Sequence, residues 1–332
     1  MKFGARALSE AEGTILAHSV MSAVGRLRKG RLLTAEDLEA LGAAGHREVV
    51  VAALERDDVH ENEAAARLAD ALQGSGVSLS KAFTGRVNLL ADGPGIARLD
   101  AAALQAVNAQ DPMITVATVP PMQQMTAGGM LATVKIISYA VTETALATAL
   151  SRAGQGSVAL AQPQLASAAL IITETPGGAG TKGRAAVEGR LEALDVDLRE
   201  VRVVPHTVAA LAAAIAEVKS ALILILTGSA TSDIADVAPV AVKAAGGTVS
   251  RFGMPVDPGN LLFLGDFQRR PVIGLPGCAR SPALNGADWV LSRIICGVPV
   301  ESTDIAQMGV GGLLKEIPSR PQPRKGEQDA RP

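Results

Sequence analysis

From residue 166 onward, short unbroken apolar runs alternate with segments of helical length. That rhythm constrains the fold more than any single motif. Residues 168–173 (AALIIT), 198–204 and 221–226 (ALILIL) are predicted as strands, and the first and last of these, with no polar alternation, have the pattern of strands buried on both faces. Helices are predicted over 184–194, over 208–219 behind Thr207, and from about 236 through 245. Strands separated by helices of this length imply parallel βαβ units with right-handed crossovers, an α/β fold class. Short strands over 246–252, 261–265 and 271–273 and a helix over 285–296 extend the pattern.

The first half is less regular. Residues 1–75 read as a small mixed module with a basic turn at 26–30. Thr34 caps a helix through Leu41, with Asp37 completing an approximate capping box, and Gly45 closes it. A strand over 48–53 and an Ala-rich helix over 62–72 follow. Residues 76–155 form an accessory α+β region with apolar segments at 83–91, 113–119 and 128–137. Lys135, inside the last of these, is either functional or snorkels from a sheet edge. Residues 154–164 read as a linker, 301–318 as a C-terminal segment, and the polar stretch 319–332 as a disordered tail or linker.

Composition excludes several function classes. Hydrophobic content is 48% but aromatic content only 2%, so the core is aliphatic and stacking platforms for single-stranded nucleic acid are not expected. Thirty-one Lys and Arg against 33 Asp and Glu leave no basic excess for a nucleic-acid partner. Cys278 and Cys296 cannot make a disulfide framework or a four-ligand zinc site. His18, His46 and His60 lack metal spacing, and His206 sits at a helix start where it could face a site. No run reaches the roughly 18 apolar residues of a membrane span, and the N-terminus lacks a signal-peptide pattern. The expectation is a cytoplasmic protein with neither membrane nor nucleic-acid partners.

In an open α/β sheet, ligands sit beyond the carboxyl ends of strands, where helix N-termini offer free N–H groups. Three regions meet that description. In TPGGAGTKG (175–183) the glycines permit close backbone approach to an anion, and Thr181 and Lys182 can bind phosphate. The GxxxxGK[ST] spacing of a nucleotide loop is absent, and a flexible surface loop is the bland alternative. In TGSATSDIAD (227–236), Gly228 permits a tight exit, and Thr227, Ser229, Thr231 and Ser232 carry hydroxyls. Asp233 and Asp236 are the candidate catalytic carboxylates, with Asp236 the candidate magnesium ligand. The bland reading is an ordinary helix start capped by Ser232 or Asp233. The third region pairs GMPVDPGN (253–260) with GLPGCARSP (274–282), where Arg280 and Ser281 are placed to clamp phosphate.

Taken together, residues 226–291 resemble the molybdopterin-binding domain shared by molybdopterin adenylyltransferases and molybdenumtransferases (MoeA/MogA-like). The family's Thr-Gly-Gly loop with its later Asp looks like Thr227, Gly228, Ser229, Thr231 and Asp236. Its Gly-Leu-Pro-Gly turn looks like Gly274, Leu275, Pro276 and Gly277, with Ser281 following. Its Lys-Pro-Gly-Lys turn looks like Asp257, Pro258, Gly259 and Asn260. Departures are the loss of both lysines at 257 and 260, Ser229 for glycine, and Cys278-Ala279 for Asn-Pro. The phrases GMPVDPGN, GLPGCARSP and GVGGLLKEI look like a divergent branch often fused to a molybdopterin nucleotidyltransferase domain. The stretch LRKGRLLTAEDLEALGAAGHREVVV is similar to the small module preceding this domain in molybdenumtransferases.

The resemblance implies a three-layer αβα molybdopterin-binding domain with a mostly parallel sheet over 166–300, preceded by a smaller mixed α+β region. It implies a ligand, molybdopterin or Mo-molybdopterin, with Mg and a nucleotide as further candidates. It also implies a homo-oligomer (dimer or trimer) and a nucleotidyltransferase domain in cis as partner. The expected function is pterin-cofactor binding in molybdenum cofactor biosynthesis, extending to a transferase. The alternatives are a catalytically inactive cofactor- or nucleotide-binding regulatory module and an oligomerisation module of a larger fused enzyme.

Overall fold

The computed structural model describes residues 1–178, 180–257 and 259–314. They form a mixed α/β protein with several separate sheets. Contacts divide it into two compact units, one of Met1–Gly93 with Ala97–Leu160, the other of Pro94–Ile96 with the described residues from Ala161. The 319–332 tail lies outside the described residues.

In the first unit, Glu48–Ala53 pairs antiparallel with Lys2–Ala7 on one side and Ile15–Leu16 on the other. Helix Ala35–Ala43 begins where Thr34 Oγ1 accepts from Asp37 N (3.4 Å) and Asp37 Oδ2 accepts from Thr34 N (3.3 Å), the full capping box. Leu16, Leu33, Leu41 and Val51 close a small core here. A second antiparallel sheet runs Ile114–Thr118, Met130–Ile136, Arg86–Ala91, Val77–Leu79. Helices Glu61–Leu72, Ala101–Asn108 and Glu143–Ala153 contribute Leu68, Leu72, Leu104, Val107 and Leu146 to the core it shares. Residues on both sides of position 75 belong to that core. The last two helices escaped the sequence reading, although their caps Asp100 and Thr142 were local signals. Within 154–164, expected as a linker, Val158–Ala161 is a strand. Lys135 donates to Thr84 O (2.6 Å) and pairs with Glu61 (3.5 Å), so it has local partners besides solvent.

The second unit carries a six-stranded sheet of β1 (Ser167–Glu174), β2 (Asp197–Pro205), β3 (Leu222–Leu226), β4 (Thr248–Met254), β5 (Asn260–Phe267) and β6 (Arg270–Leu275). Helices α1 (Arg184–Glu192), α2 (Val208–Glu217), α3 (Val237–Ala244), α4 (Gly286–Ile295) and α5 (Ser302–Gln307) connect or follow the strands. The strand order is β2-β1-β3-β6-β5-β4. Ala169 and Ile171 join Ile223 and Ile225 on the face where α2 and α3 pack through Leu211, Ile215, Ala241 and Val242. Leu170, Ile172 and Leu224 alternate to the opposite side and are also fully buried. The unbroken apolar runs are therefore central strands.

Parallel pairing links β2, β1, β3 and β6, while β6–β5 and β5–β4 are antiparallel. A mostly parallel arrangement thus describes only part of this sheet, and antiparallel pairing predominates in the rest of the protein. The reason is connection length, because a parallel neighbour needs a crossover of a dozen or more residues. The β5–β6 link is a two-residue turn in which Gln268 (φ 54°) and Arg269 (φ 61°) are both left-handed. It lacks the usual Asn-Gly signal. Asp266 Oδ1, accepting from Arg269 N at 2.9 Å, helps hold it.

Candidate functional site

Because β1, β3, β4 and β6 run in the same direction, the segments 175–183, 227–236, 255–259 and 276–285 all leave one edge of the sheet. Thr173 is the fully buried hub at that edge. Its Oγ1 accepts from Gly228 N (3.0 Å) and lies 2.7 Å from His206 Nδ1, while His206 N donates to Glu174 O (2.9 Å). A Cβ on Gly228 would meet Thr173 O at 2.6 Å, so only glycine lets the loop after β3 pass this close to β1.

Arg280 ties the loops together. One guanidinium nitrogen donates to Lys182 O and the other to Thr227 O (2.7 Å). Gly183, with φ at 102°, presses against the Arg280 backbone and side-chain stem. Sequence reasoning gave Arg280 a phosphate-clamping role, whereas here two of its five N–H groups hold main-chain carbonyls. Burial pulls its pKa below the ordinary arginine value, and an anion beside it would offset that desolvation.

The other expected residues divide clearly. Thr181 and Lys182 are exposed, and the Lys182 ammonium has no hydrogen bond or ion pair among the described residues. Thr227 Oγ1 and the buried Thr231 Oγ1 are 3.3 Å apart, and Ser229 and Ser232 are exposed. The cap of α3 is Asp236, whereas the bland alternative for this loop places it at Ser232 or Asp233. Its Oδ1 accepts from Val237 N (2.7 Å) and its Oδ2 from Ser232 N (3.0 Å). Asp233 closes the preceding turn by accepting from Ala235 N (2.7 Å), which delays the helix.

Asp257, left-handed at φ 45°, donates its N–H to Gly312 O (2.6 Å), which ties the chain just after β4 to the chain after α5. Pro258 lies outside the described residues, and Gly259 is exposed at φ 91°. Asn260 is only 6% exposed. Its Oδ1 accepts from Leu262 N (3.2 Å), and its Nδ2 has no hydrogen-bond partner among the described residues. Gly274 does not reach solvent, since a Cβ there would fall inside the Phe263 ring. Pro276 is buried, Gly277 is exposed beside open space, and exposed Ser281 accepts from Ala283 N (3.2 Å).

Sequence reasoning missed Arg190. From α1 it donates to Ala186 O (2.9 Å), Ala279 O (2.9 Å), Ser281 O (2.7 Å) and Ala283 O (3.1 Å), and it pairs with Asp288. Asp288 also accepts from Asn285 N (2.7 Å) in the capping box of α4. An arginine on a helix reads as a solvated face, so nothing local announces this role. Among the described residues, no group of three or more His, Cys, Asp or Glu side chains is close enough to hold a metal ion.

Burial pushes the Cys296 thiol up to about 11, opposed by a hydrogen bond from the Ile96 backbone. At pH 8 only about one thiol in a thousand would then be thiolate. Titration with an aromatic disulfide should therefore label Cys296 only upon unfolding. Rapid labelling in native buffer would contradict its burial.

A family model described as a domain of unknown function (DUF8806) matches residues 6–53. No curated protein matches the chain. The matched segment lies in the first unit, around helix Ala35–Ala43 and strand Glu48–Ala53. Among the described residues, no helix is long and apolar enough to cross a membrane.

Proposed function

We propose that the second unit is a three-layer αβα molybdopterin-binding domain of the MoeA/MogA-like family, in a divergent branch. Its ligand is molybdopterin or Mo-molybdopterin, bound at the loop-bearing edge of the sheet. The observation that carries this reading is the convergence of four strand-end segments there, two of them bound by Arg280 to a third. Donor chemistry supports it. Among the described residues, Lys182 is an unspent cation, Arg280 keeps three N–H groups without a partner, and buried Asn260 has an unused amide N–H₂. Together they suit a phosphate and the hydrogen-bonding edge of a pterin ring.

Binding is favoured over transfer chemistry. Asp236, the candidate catalytic and metal residue, spends an oxygen on each of two backbone N–H groups. Mg²⁺ bound there would draw most ligands from water and a nucleotide's phosphates. The proposed protein acts in the cytoplasm in molybdenum cofactor biosynthesis, as a homo-oligomer, with a nucleotidyltransferase domain as its partner in cis.

Calorimetric titration of the purified chain with molybdopterin, with and without Mg-ATP or Mg-CTP, tests the reading. No binding at micromolar concentration would overturn it. Arg280→Ala is expected to weaken pterin binding by about tenfold or more, the loss of a charge-assisted hydrogen bond. Lys29→Ala, in the first unit, should weaken it less. Equal effects would make the Arg280 loop purely structural.

A further inference from the structure

The first unit contains a cleft of about 470 Å³ lined by Arg26, Arg28, Lys29, Arg31, His60, Glu61, Asn62, Phe83 and Thr84 among others. That volume lies within the range of small-molecule sites, about 300–1,000 Å³. The chain as a whole is nearly neutral, yet four cations and one carboxylate meet here.

Two of these charges are already answered. Arg31 Nε pairs with Asp37 at 2.7 Å, and Glu61 pairs with Lys135 at 3.5 Å. The side chains of Arg26, Arg28 and Lys29 have no hydrogen bond or ion pair among the described residues, so three positive charges remain. Among the described residues, no carboxylate pairs with them. His60 Nδ1 accepts from Asn62 N (3.2 Å), and Asn62 Oδ1 accepts from Gly85 N (2.7 Å). Both orient the start of helix Glu61–Leu72, whose positive dipole end adds to the same field. On the cleft wall, Phe83 is 76% exposed. It is one of only five phenylalanines in the chain, and it offers a bare face for a flat ring.

We propose that this cleft binds a nucleoside di- or triphosphate, with the phosphates on Arg26, Arg28 and Lys29 and the base on Phe83. A single phosphate carries only about −1.5 to −2 charge near pH 7, so a polyphosphate matches three unpaired cations better. Planar guanidinium forks suit phosphate oxygens, and a base with an exposed aromatic ring adds affinity that inorganic phosphate cannot have. The cations are solvent-facing, so binding weakens steeply with salt. This proposal does not depend on the pterin reading of the second unit.

Isothermal titration of the full chain with ATP, inorganic tripolyphosphate and adenosine tests it. ATP should bind more tightly than tripolyphosphate, and adenosine should not bind measurably. Arg28→Ala and Lys29→Ala should each weaken ATP by about tenfold, in line with loss of a charge-assisted contact. Phe83→Ala should reduce ATP affinity to that of tripolyphosphate while leaving tripolyphosphate unchanged. Three results would overturn the proposal. One is no binding of either polyanion. Another is loss of ATP binding in Lys182→Ala with none in Arg28→Ala or Lys29→Ala, which would put the nucleotide in the second unit. The third is tighter binding of a single-stranded RNA oligomer than of ATP, which would make the cleft part of a nucleic-acid surface.

Discussion

Arg190→Ala is expected to destabilise the second unit by about 3 kcal/mol, below the full cost of breaking a wholly buried pair because some solvent reaches it. Both Arg190 and Asp288 side chains are about one-eighth exposed, at 12% and 13%. Removing the guanidinium takes a donor from buried Ala279 O and from the exposed Ser281 and Ala283 carbonyls, the last of which keeps Asn285 Nδ2 at 3.3 Å, and it leaves Asp288 without its counter-ion at the start of α4. Arg190→Lys should recover little, because one ammonium cannot reproduce a planar fork reaching several carbonyls. The chain has a single tryptophan, Trp289, one residue beyond Asp288, so its fluorescence in urea reports this region directly. A loss within about 0.5 kcal/mol, the range of ordinary surface substitutions, would show that the 276–285 segment holds its shape without this anchor.

Gly274→Ala is expected to cost a similar amount, about 3 kcal/mol, by overpacking. Phe263 and Gly274 face each other across the antiparallel β5–β6 pair, and the ring occupies the space a Cβ would need. Phe263 also belongs to the core beneath α2 and α3, so displacing it disturbs packing beyond the pair. Because the three nearest atoms to such a Cβ all belong to the Phe263 ring, the combination with Phe263→Ala discriminates. The double variant should be no less stable than Phe263→Ala alone, a coupling expected only of residues in contact. Independent, additive losses would rule out this packing.

These two positions also show what the order of residues could and could not disclose. Thr34 with Asp37 announced the first helix, and the unbroken apolar runs at 168–173 and 221–226 announced central strands of the second unit. Such signals are local, arising from the period of burial along a strand and from hydrogen bonds spanning a few residues. The loop segments at 175–183, 227–236 and 276–282 were legible for the same reason, as glycine-rich exits beside apolar runs. Their common placement at one sheet edge was anticipated from general α/β rules, but the contacts among them were not. Asp236 also caps a helix and Gly274 also makes room for a ring, duties that their place in the sequence did not announce.

By itself the sequence determined an aliphatic, mixed α/β protein, the central strands of its second unit, and the positions of the glycine-rich loops. Only the tertiary structure decided what Arg190, Arg280 and Thr173 do, since their partners lie far away in sequence: Arg280 meets Lys182 and Thr227, and Thr173 meets His206 and Gly228. It also decided that β5 reverses direction, through a left-handed turn without glycine or asparagine. A basic turn at 26–30 became part of a cleft only when Phe83 and the start of helix Glu61–Leu72 were brought beside it. Periodicity records which side of an element is buried, whereas pairing between distant polar groups depends on geometry that no short stretch of chain contains.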